Sequence, residues 1–225
     1  MLDNTNRTVQ QGLTRAPFTR HTFGGRAVGQ GVGCHEGVLY DFEGAMQLGT
    51  DDHRNVVAGM ATAGLGYNLK ELAWNPTLWM YYDYASGGTG NTVHTFNQLF
   101  PFGHYYLGWI DQVGRQNIHD VNAHLYVYPA KWLTVWVQGH SFYLADRRDA
   151  LYNAAGTAIR RDATGRAGSD VGQELDVVFN FHLTKHADVL TGYSHLWGGN
   201  FLKATSGPNA APNAGQFFIQ TSYRW

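Results

Sequence analysis

Residues 216–225 read QFFIQTSYRW, and this stretch decides the fold. Apolar or aromatic side chains at Phe217, Ile219, Tyr223 and Trp225 alternate with mostly polar ones, which predicts a β-strand with one apolar face. A water-soluble protein rarely leaves such a strand uncovered, because its apolar face and unpaired backbone groups attract other chains. In an outer-membrane barrel the same strand contacts lipid on one side and the lumen on the other. The strand therefore favours a barrel, with an edge strand of a soluble sandwich as the alternative.

Composition excludes two classes of protein. The 225-residue chain has 16 basic and 17 acidic side chains, so it lacks the basic surface that a nucleic-acid partner requires. Its mean hydropathy of −0.32 and the absence of a long apolar run argue against helical membrane spans, so any membrane crossing must use strands. Residues 1–15 are polar and have no apolar segment of a signal peptide, so the chain is either soluble or truncated.

Period-two alternation bounded by turn residues predicts about nine strands, an all-β fold. The predicted strands cover residues 20–30, 38–49, 55–67, 77–86, 115–128, 132–145, 171–183, 188–198 and 216–225. Each is about 10 to 14 residues long, close to what a tilted strand needs to cross a bilayer. Long and short connections alternate, as in antiparallel transmembrane β-barrels with outer loops and periplasmic turns. An aromatic girdle near the strand ends is predicted from Trp74, Tyr128, Trp132, Tyr193 and Trp225.

Several local sequences resemble one family. They are FNQLFPFGH at 96–104, YLGW at 106–109, ADRRDALYN at 145–153, GQELD at 172–176, YDYASG at 82–87 and the terminal YRW. From about Arg20 onward the chain resembles the C-terminal half of the alginate-export family of outer-membrane porins. The resemblance implies a monomeric barrel of about 18 strands that passes an anionic polysaccharide or other small anionic solute through the bacterial outer membrane.

Nine predicted strands do not make a whole barrel, because bacterial single-chain barrels have even numbers of strands. We expect residues 20–225 to be the C-terminal part of a larger barrel with a periplasmic C-terminus, and residues 1–19 to be an external loop or a disordered N-terminal remnant. The expected partners are outer-membrane lipid, an anionic polysaccharide or oligosaccharide, and the barrel-assembly machinery, which would bind the C-terminal strand.

Arginine is the residue type that suits an anion path, because its guanidinium binds carboxylates in a bidentate manner and keeps its charge. The candidate contacts to the anion are Arg26, Arg115, Arg147, Arg148, Arg160, Arg161, Arg166 and Arg224. The acids predicted in the lumen are Asp41, Glu43, Asp83, Asp120, Glu174 and Asp176. Two alternatives remain open: the loop arginines pair with neighbouring acids to order the loop, and the lumen acids are polar filler in a watery interior.

Catalysis is not expected. The 11 histidines form no His-Glu-x-x-His run, and the single Cys34 cannot build a thiolate cluster, so we expect no metal and no cofactor. His140 and Ser141 are adjacent on a strand and so point to opposite faces, which prevents them from acting as base and nucleophile. A surface glycan-binding or glycan-cleaving protein on a plugged barrel is the alternative, with its carboxyls drawn from Asp146, Asp149, Glu174 and Asp176. A soluble lipocalin-like or sandwich protein is a third possibility.

Overall fold

A computed structural model describes residues 2–4, 8–10, 13–15, 17–32, 37–100, 102–207 and 211–225. Cys34 lies outside these residues. The elements in chain order are β1 Leu2–Asn4, β2 Thr8–Gln10, β3 Leu13–Arg15, β4 Phe18–Gln30, β5 Val38–Asp51, β6 Arg54–Asn68, β7 Thr77–Ala85, β8 Ile118–Ala130, β9 Leu133–Leu144, β10 Ala150–Tyr152, β11 Ala158–Arg161, β12 Asp170–His182, β13 Ala187–Gly198, α1 Asn200–Thr205 and β14 Ala214–Tyr223. All nine predicted strands are present, and each end lies within about three residues of its prediction.

The long strands form one antiparallel sheet in the order β1-β4-β5-β6-β7-β8-β9-β12-β13-β14. This confirms the all-β, antiparallel part of the predicted fold. Within the described residues, β14 pairs only with β13 and β1 pairs only with β4, so the sheet is open at both edges and no closed barrel is observed. Among the same residues, no helix is long and apolar enough to cross a membrane.

Part of the segment predicted as an external loop or disordered remnant is regular structure. Strand β1 pairs with the beginning of β4, and β2 pairs with β3 in a separate two-stranded sheet. The sheet therefore begins before Arg20. The aromatic prediction also needs one correction, because Tyr193 lies in the middle of β13 and not near an end of that strand.

The two faces of the sheet differ in polarity, and the polar face is the covered one. We call the face that packs against the long connections the inner face, and the opposite one the outer face. Outer-face side chains such as Phe23, Met80 and Phe217 are 60–71% exposed. Inner-face side chains such as Gln138 and Asp176 are fully buried. A water-soluble sheet has the reverse arrangement, with its apolar side chains buried.

The apolar core lies at one end of the inner face, between the sheet and the long connections at 86–117, 145–169 and 199–213. Phe142 of β9 is completely buried in this core, together with Ile118, Leu196 and Phe201. Helix α1 contributes Phe201 and Leu202 to the core, and its first N–H group, from Asn200, donates to the Asp170 carboxylate. Side chains on the loops thus replace the second layer that a sheet needs to bury an apolar patch.

Replacing Phe142 with Ala tests where the core lies. We expect Phe142→Ala to lower the free energy of unfolding by ~3–5 kcal/mol, because it leaves a cavity among buried side chains. The control is Phe100→Ala, since Phe100 is 90% exposed in the 86–117 connection; it should change stability by less than ~0.5 kcal/mol. Urea unfolding in detergent micelles, followed by tryptophan fluorescence, measures both values. Equal losses in the two variants contradict this position of the core.

Candidate functional site

Residues 86–117, which join β7 to β8, run across the inner face, and we call them the crossing loop. At β5, the Gln47 side chain donates to the Asn97 carbonyl at 2.7 Å and accepts from the Asn97 N–H at 2.9 Å. At β14, the Trp109 indole stacks on Phe218, with ring centroids 4.6 Å apart and planes at 3°. The loop therefore reaches from the first long strands of the sheet to its last strand.

Glu174 of β12 holds the middle of the crossing loop. Its Oε1 atom accepts a hydrogen bond from the Ile110 N–H at 2.9 Å, and the carboxylate lies directly against Gly108. Gly108 has φ +85°, and a Cβ at this position would collide with the carboxylate, so only glycine suits the turn. A buried carboxylate that accepts a backbone N–H of the loop fixes both the position and the conformation of residues 108–110.

A buried polar patch lies behind this part of the loop. His140 Nδ1 is 2.8 Å from Asp120 Oδ2, and His140 Nε2 is 3.8 Å from Asp176 Oδ2. The Asn122 Oδ1 and His124 Nε2 atoms are buried and have no hydrogen-bond partner among the described protein atoms. An unpaired buried polar group costs ~1–3 kcal/mol, so these two atoms lower the stability of the buried polar patch.

A cavity of about 440 Å³ opens beside the loop, between strands β4–β8 and the loop residues Tyr105 and Tyr106; we call it the inner cavity. Arg26 forms a bidentate ion pair with Asp41, at 2.8 and 2.6 Å. Four further aromatic residues, Trp79, Tyr81, Tyr126 and Tyr128, line the inner cavity among polar side chains.

The second arginine of the inner cavity comes from the crossing loop. The Arg115 guanidinium pairs with Asp83 at 2.9 Å, donates to the Thr62 hydroxyl at 2.5 Å and lies 5.8 Å from the centre of the Tyr106 ring. Arg115 therefore links the loop to β6 and β7 through a charged hydrogen bond, which is stronger than a neutral one.

The sequence-predicted residues occupy separate places. Arg26, Arg115, Asp41, Glu43 and Asp83 line the inner cavity. Asp120, Glu174 and Asp176 lie in the buried polar patch. Arg147, Arg148, Arg160, Arg161 and Arg166 lie in the 145–169 connection, and Arg224 is 3.9 Å from Asp188 after the end of β14. The structure thus brings the two cavity arginines together with acids, and it does not join them to the loop arginines in one continuous row.

Of the loop arginines, Arg161 lines a second cavity of about 410 Å³ at the end of the sheet where the long connections lie. Arg20, Arg54 and Asp51 line the same cavity, and Arg20 donates to Asp51 at 2.8 Å. Polar side chains and backbone form most of its remaining wall.

In the described residues, acids order the 145–169 connection through hydrogen bonds and not through ion pairs with its arginine side chains. Asp149 accepts hydrogen bonds from the Thr95 and Tyr152 hydroxyls, and burial followed by the Asp149 charge raises the pKa of Tyr152 to about 12. Hydrogen bonds from the Thr164 hydroxyl and from the N–H groups of Ala167 and Thr164 lower the pKa of Asp162 to about 2. The stabilisation from Asp162 is therefore present above its ordinary pKa and is lost as the pH falls toward 2. In the described part of the chain, the ion pairs include none of the five loop arginines.

Sequence reasoning missed the aromatic lining and the Asp120–His140 contact. The sequence does indicate part of the aromatic lining, because Trp79 and Tyr81 alternate with Leu78 and Met80 and so lie on the polar face of β7. Asp120 and His140 lie on neighbouring strands, and their contact depends on a register that the sequence pattern does not specify. His140 and Ser141 do face opposite sides of the sheet, since His140 is buried on the inner face and Ser141 belongs to the outer one.

Comparison with known proteins gives one family. The family model described as "Alginate export" matches residues 4–216, which is nearly the whole chain. The chain belongs to the alginate export family. The match begins well before Arg20, where the resemblance was expected to begin. A search of curated proteins found no match.

Membership in the alginate export family supports a general role. The family is a transport family, associated with export of alginate-type polysaccharide at the outer membrane, and it is not a family of enzymes. The all-β antiparallel sheet fits this family. Of the carboxyls that the sequence offers for glycan cleavage, Asp149, Glu174 and Asp176 are buried.

Removing the Glu174 carboxylate tests its hold on the crossing loop. We expect Glu174→Ala to speed amide hydrogen exchange of residues 103–113 by about tenfold, because the Ile110 N–H loses a buried acceptor worth ~1–3 kcal/mol. Gln173→Ala is the control, since Gln173 is the neighbouring, exposed residue. Exchange measured by mass spectrometry gives both rates. Unchanged exchange in Glu174→Ala shows that other contacts hold the loop.

Proposed function

We propose that this chain forms a porin-type channel in the bacterial outer membrane for passive passage of an anionic, alginate-type polysaccharide or a smaller anionic solute. The observation that carries the proposal is the polarity of the sheet. An apolar outer face and a polar inner face suit a wall between lipid and an aqueous passage. The long strands contain 9 to 15 residues, enough for tilted strands to cross a bilayer.

Aromatic residues at one end of the sheet support the same placement. Trp74, Trp132 and Trp225 are more than half exposed, and they lie at the end that carries the short turns 131–132 and 183–186. Tryptophan is enriched at the level of lipid head groups. In the proposed orientation this end and the C-terminus face the periplasm, and the long connections face outward. The C-terminal strand is then available to the barrel-assembly machinery.

The inner cavity offers the best-defined contacts for an anion in the proposed channel. Arg26 retains 44% exposure of its side chain while paired with Asp41. A uronate carboxylate can therefore compete with Asp41 for the guanidinium fork without entering a fully buried site. Exchange between weak neighbouring sites is what allows a solute to enter a pore and also to leave it. The second cavity, lined by Arg54 and Arg161, provides a further contact at the outer end.

A glycan-binding protein on a plugged barrel is the second candidate, and the position of the crossing loop favours it. The loop occupies much of the inner face, and Asp149 uses its carboxylate to hold neighbouring chain segments. Glu174 is also occupied by the loop. Binding is therefore better supported than cleavage among the described residues. A turnover assay on polysaccharide separates a cleaving protein, which releases oligomers, from a channel or a binding protein, which does not.

Conductance tests the channel directly. The full-length gene product in planar bilayers should conduct ions, and uronate oligomers should block the current. Arg26→Ser should raise the half-blocking concentration about tenfold, because one charged contact is lost. Lys185→Ser is the control, since it removes an exposed cation from a short turn. The absence of any conductance rejects the channel, and equal block in both variants rejects the role of Arg26.

An arginine on the outer face tests the membrane placement. Met80 lies near the middle of β7 and is 60% exposed. If lipid covers this face, Met80→Arg costs ~2–4 kcal/mol and reduces the folded protein recovered with outer membranes. If water covers it, the change is within ~0.5 kcal/mol, as at other surface positions. The control is Phe100→Arg in the crossing loop, which should leave recovery unchanged. Normal recovery of Met80→Arg contradicts the proposed placement.

A further inference from the structure

Two aromatic rings on β7 stack on each other in the wall of the inner cavity. Trp79 and Tyr81 stack with centroids 5.1 Å apart and planes at 16°, and both line the cavity. Their cross-strand partners on β6 are Gly66 and Gly64. Because these glycines have no side chain, the rings can lie against the backbone of β6. Glycine within a strand weakens it, and it often marks a place where another group approaches the backbone closely. Here the approaching groups are the two rings, which we call the aromatic platform.

The platform faces polar groups that suit sugar hydroxyls. Asp41, Glu43 and Asp83 line the same cavity, and its two arginines already pair with two of these acids. The charged side chains in the lining therefore sum to two positive and three negative charges, a net charge of −1 with histidine neutral. Such a cavity does not attract a polyanion by its net charge. Its volume of about 440 Å³ lies within the ~300–1,000 Å³ of small-molecule sites, where apolar surface and a few polar groups share recognition.

We propose that the inner cavity is a saccharide subsite in which the aromatic platform stacks on the apolar C–H face of a pyranose ring, whether or not the sugar carries a carboxylate. The inference rests on the proposed function and names the chemical class of its solute. The ring supplies the stacking surface, and the acids and their arginine partners bind the hydroxyl groups. Arg26 adds a contact to a carboxylate when the sugar is a uronate.

The dependence of binding on salt concentration distinguishes this stacking contact from simple anion binding. A stacking contact depends little on ionic strength, whereas attraction between charges weakens as the screening length falls from about 10 Å at 0.1 M salt to about 3 Å at 1 M. A neutral hexose oligomer should therefore bind equally well at both salt concentrations. Binding of a uronate oligomer of the same length should weaken partly in high salt and should retain the contribution of the platform.

Titration of the full-length protein in detergent micelles tests the subsite, with a neutral hexose tetramer and a uronate tetramer as probes and calorimetry as the measurement. Trp79→Ala should raise the Kd of both probes about tenfold, because the stacking surface is lost. Trp79→Tyr should restore most of the affinity, which a loss of folding alone does not explain. Trp132→Ala, which removes an exposed tryptophan outside the cavity, should leave both Kd values unchanged.

The outcomes distinguish this inference from the proposed function. If the neutral tetramer does not bind the natural protein, or if Trp79→Ala leaves both Kd values unchanged, the saccharide subsite is overturned even when the channel conducts. If the tetramers bind as expected and the protein does not conduct, the subsite stands and the channel proposal fails. Far-UV circular dichroism of each variant confirms that the sheet has formed.

Discussion

The antiparallel pairing of the long strands places successive side chains on opposite faces, and the rest of the structure depends on this constraint. In β12, Leu175 and Phe179 are on the outer face, while Glu174 and Asp176 are on the inner face. Polar inner-face groups require partners. Gln47 and Glu174 find them in the backbone of the crossing loop, which thereby becomes part of the wall. The apolar core is confined to the end of the sheet where the long connections supply side chains to cover it.

The sequence predicts the strands well for the same physical reason. Alternation is a local property, so the run from Val121 to Val127 is recognisable without knowledge of any neighbour. It also predicts that Asp41, Asp83 and Asp120 share the inner face, where all three lie. The path of the crossing loop cannot be predicted from local alternation. It depends on the contacts of Asn97 with Gln47 and of Ile110 with Glu174, which join residues 50 and 64 positions apart. No local pattern encodes such pairs.

In the candidate site, too, local alternation predicts which face a side chain occupies but not which partner it contacts. The inner-face position of Arg26 follows from its place on a strand, but its bidentate pairing with Asp41 depends on the register between β4 and β5. This pairing changes how the arginines act. Arg26 and Arg115 do not present free positive charge, since each is held by an aspartate. In the proposed channel, a solute would contact a preorganised ion pair beside aromatic rings, which favours directional recognition with little net field.

The turn between β5 and β6 has a consequence for access to the molecule. Asp52 and His53 both have positive φ, 48° and 64°, which produces a two-residue hairpin turn at the end of the sheet where the other connections are long. The crossing loop covers this end of β6 instead, since Val93 pairs with Asn55 and Val57, and Arg54 lines the second cavity beside it. Entry to the second cavity past Arg54 is therefore bounded by residues of the crossing loop, from Gly88 to Val93, and not by a long connection between β5 and β6.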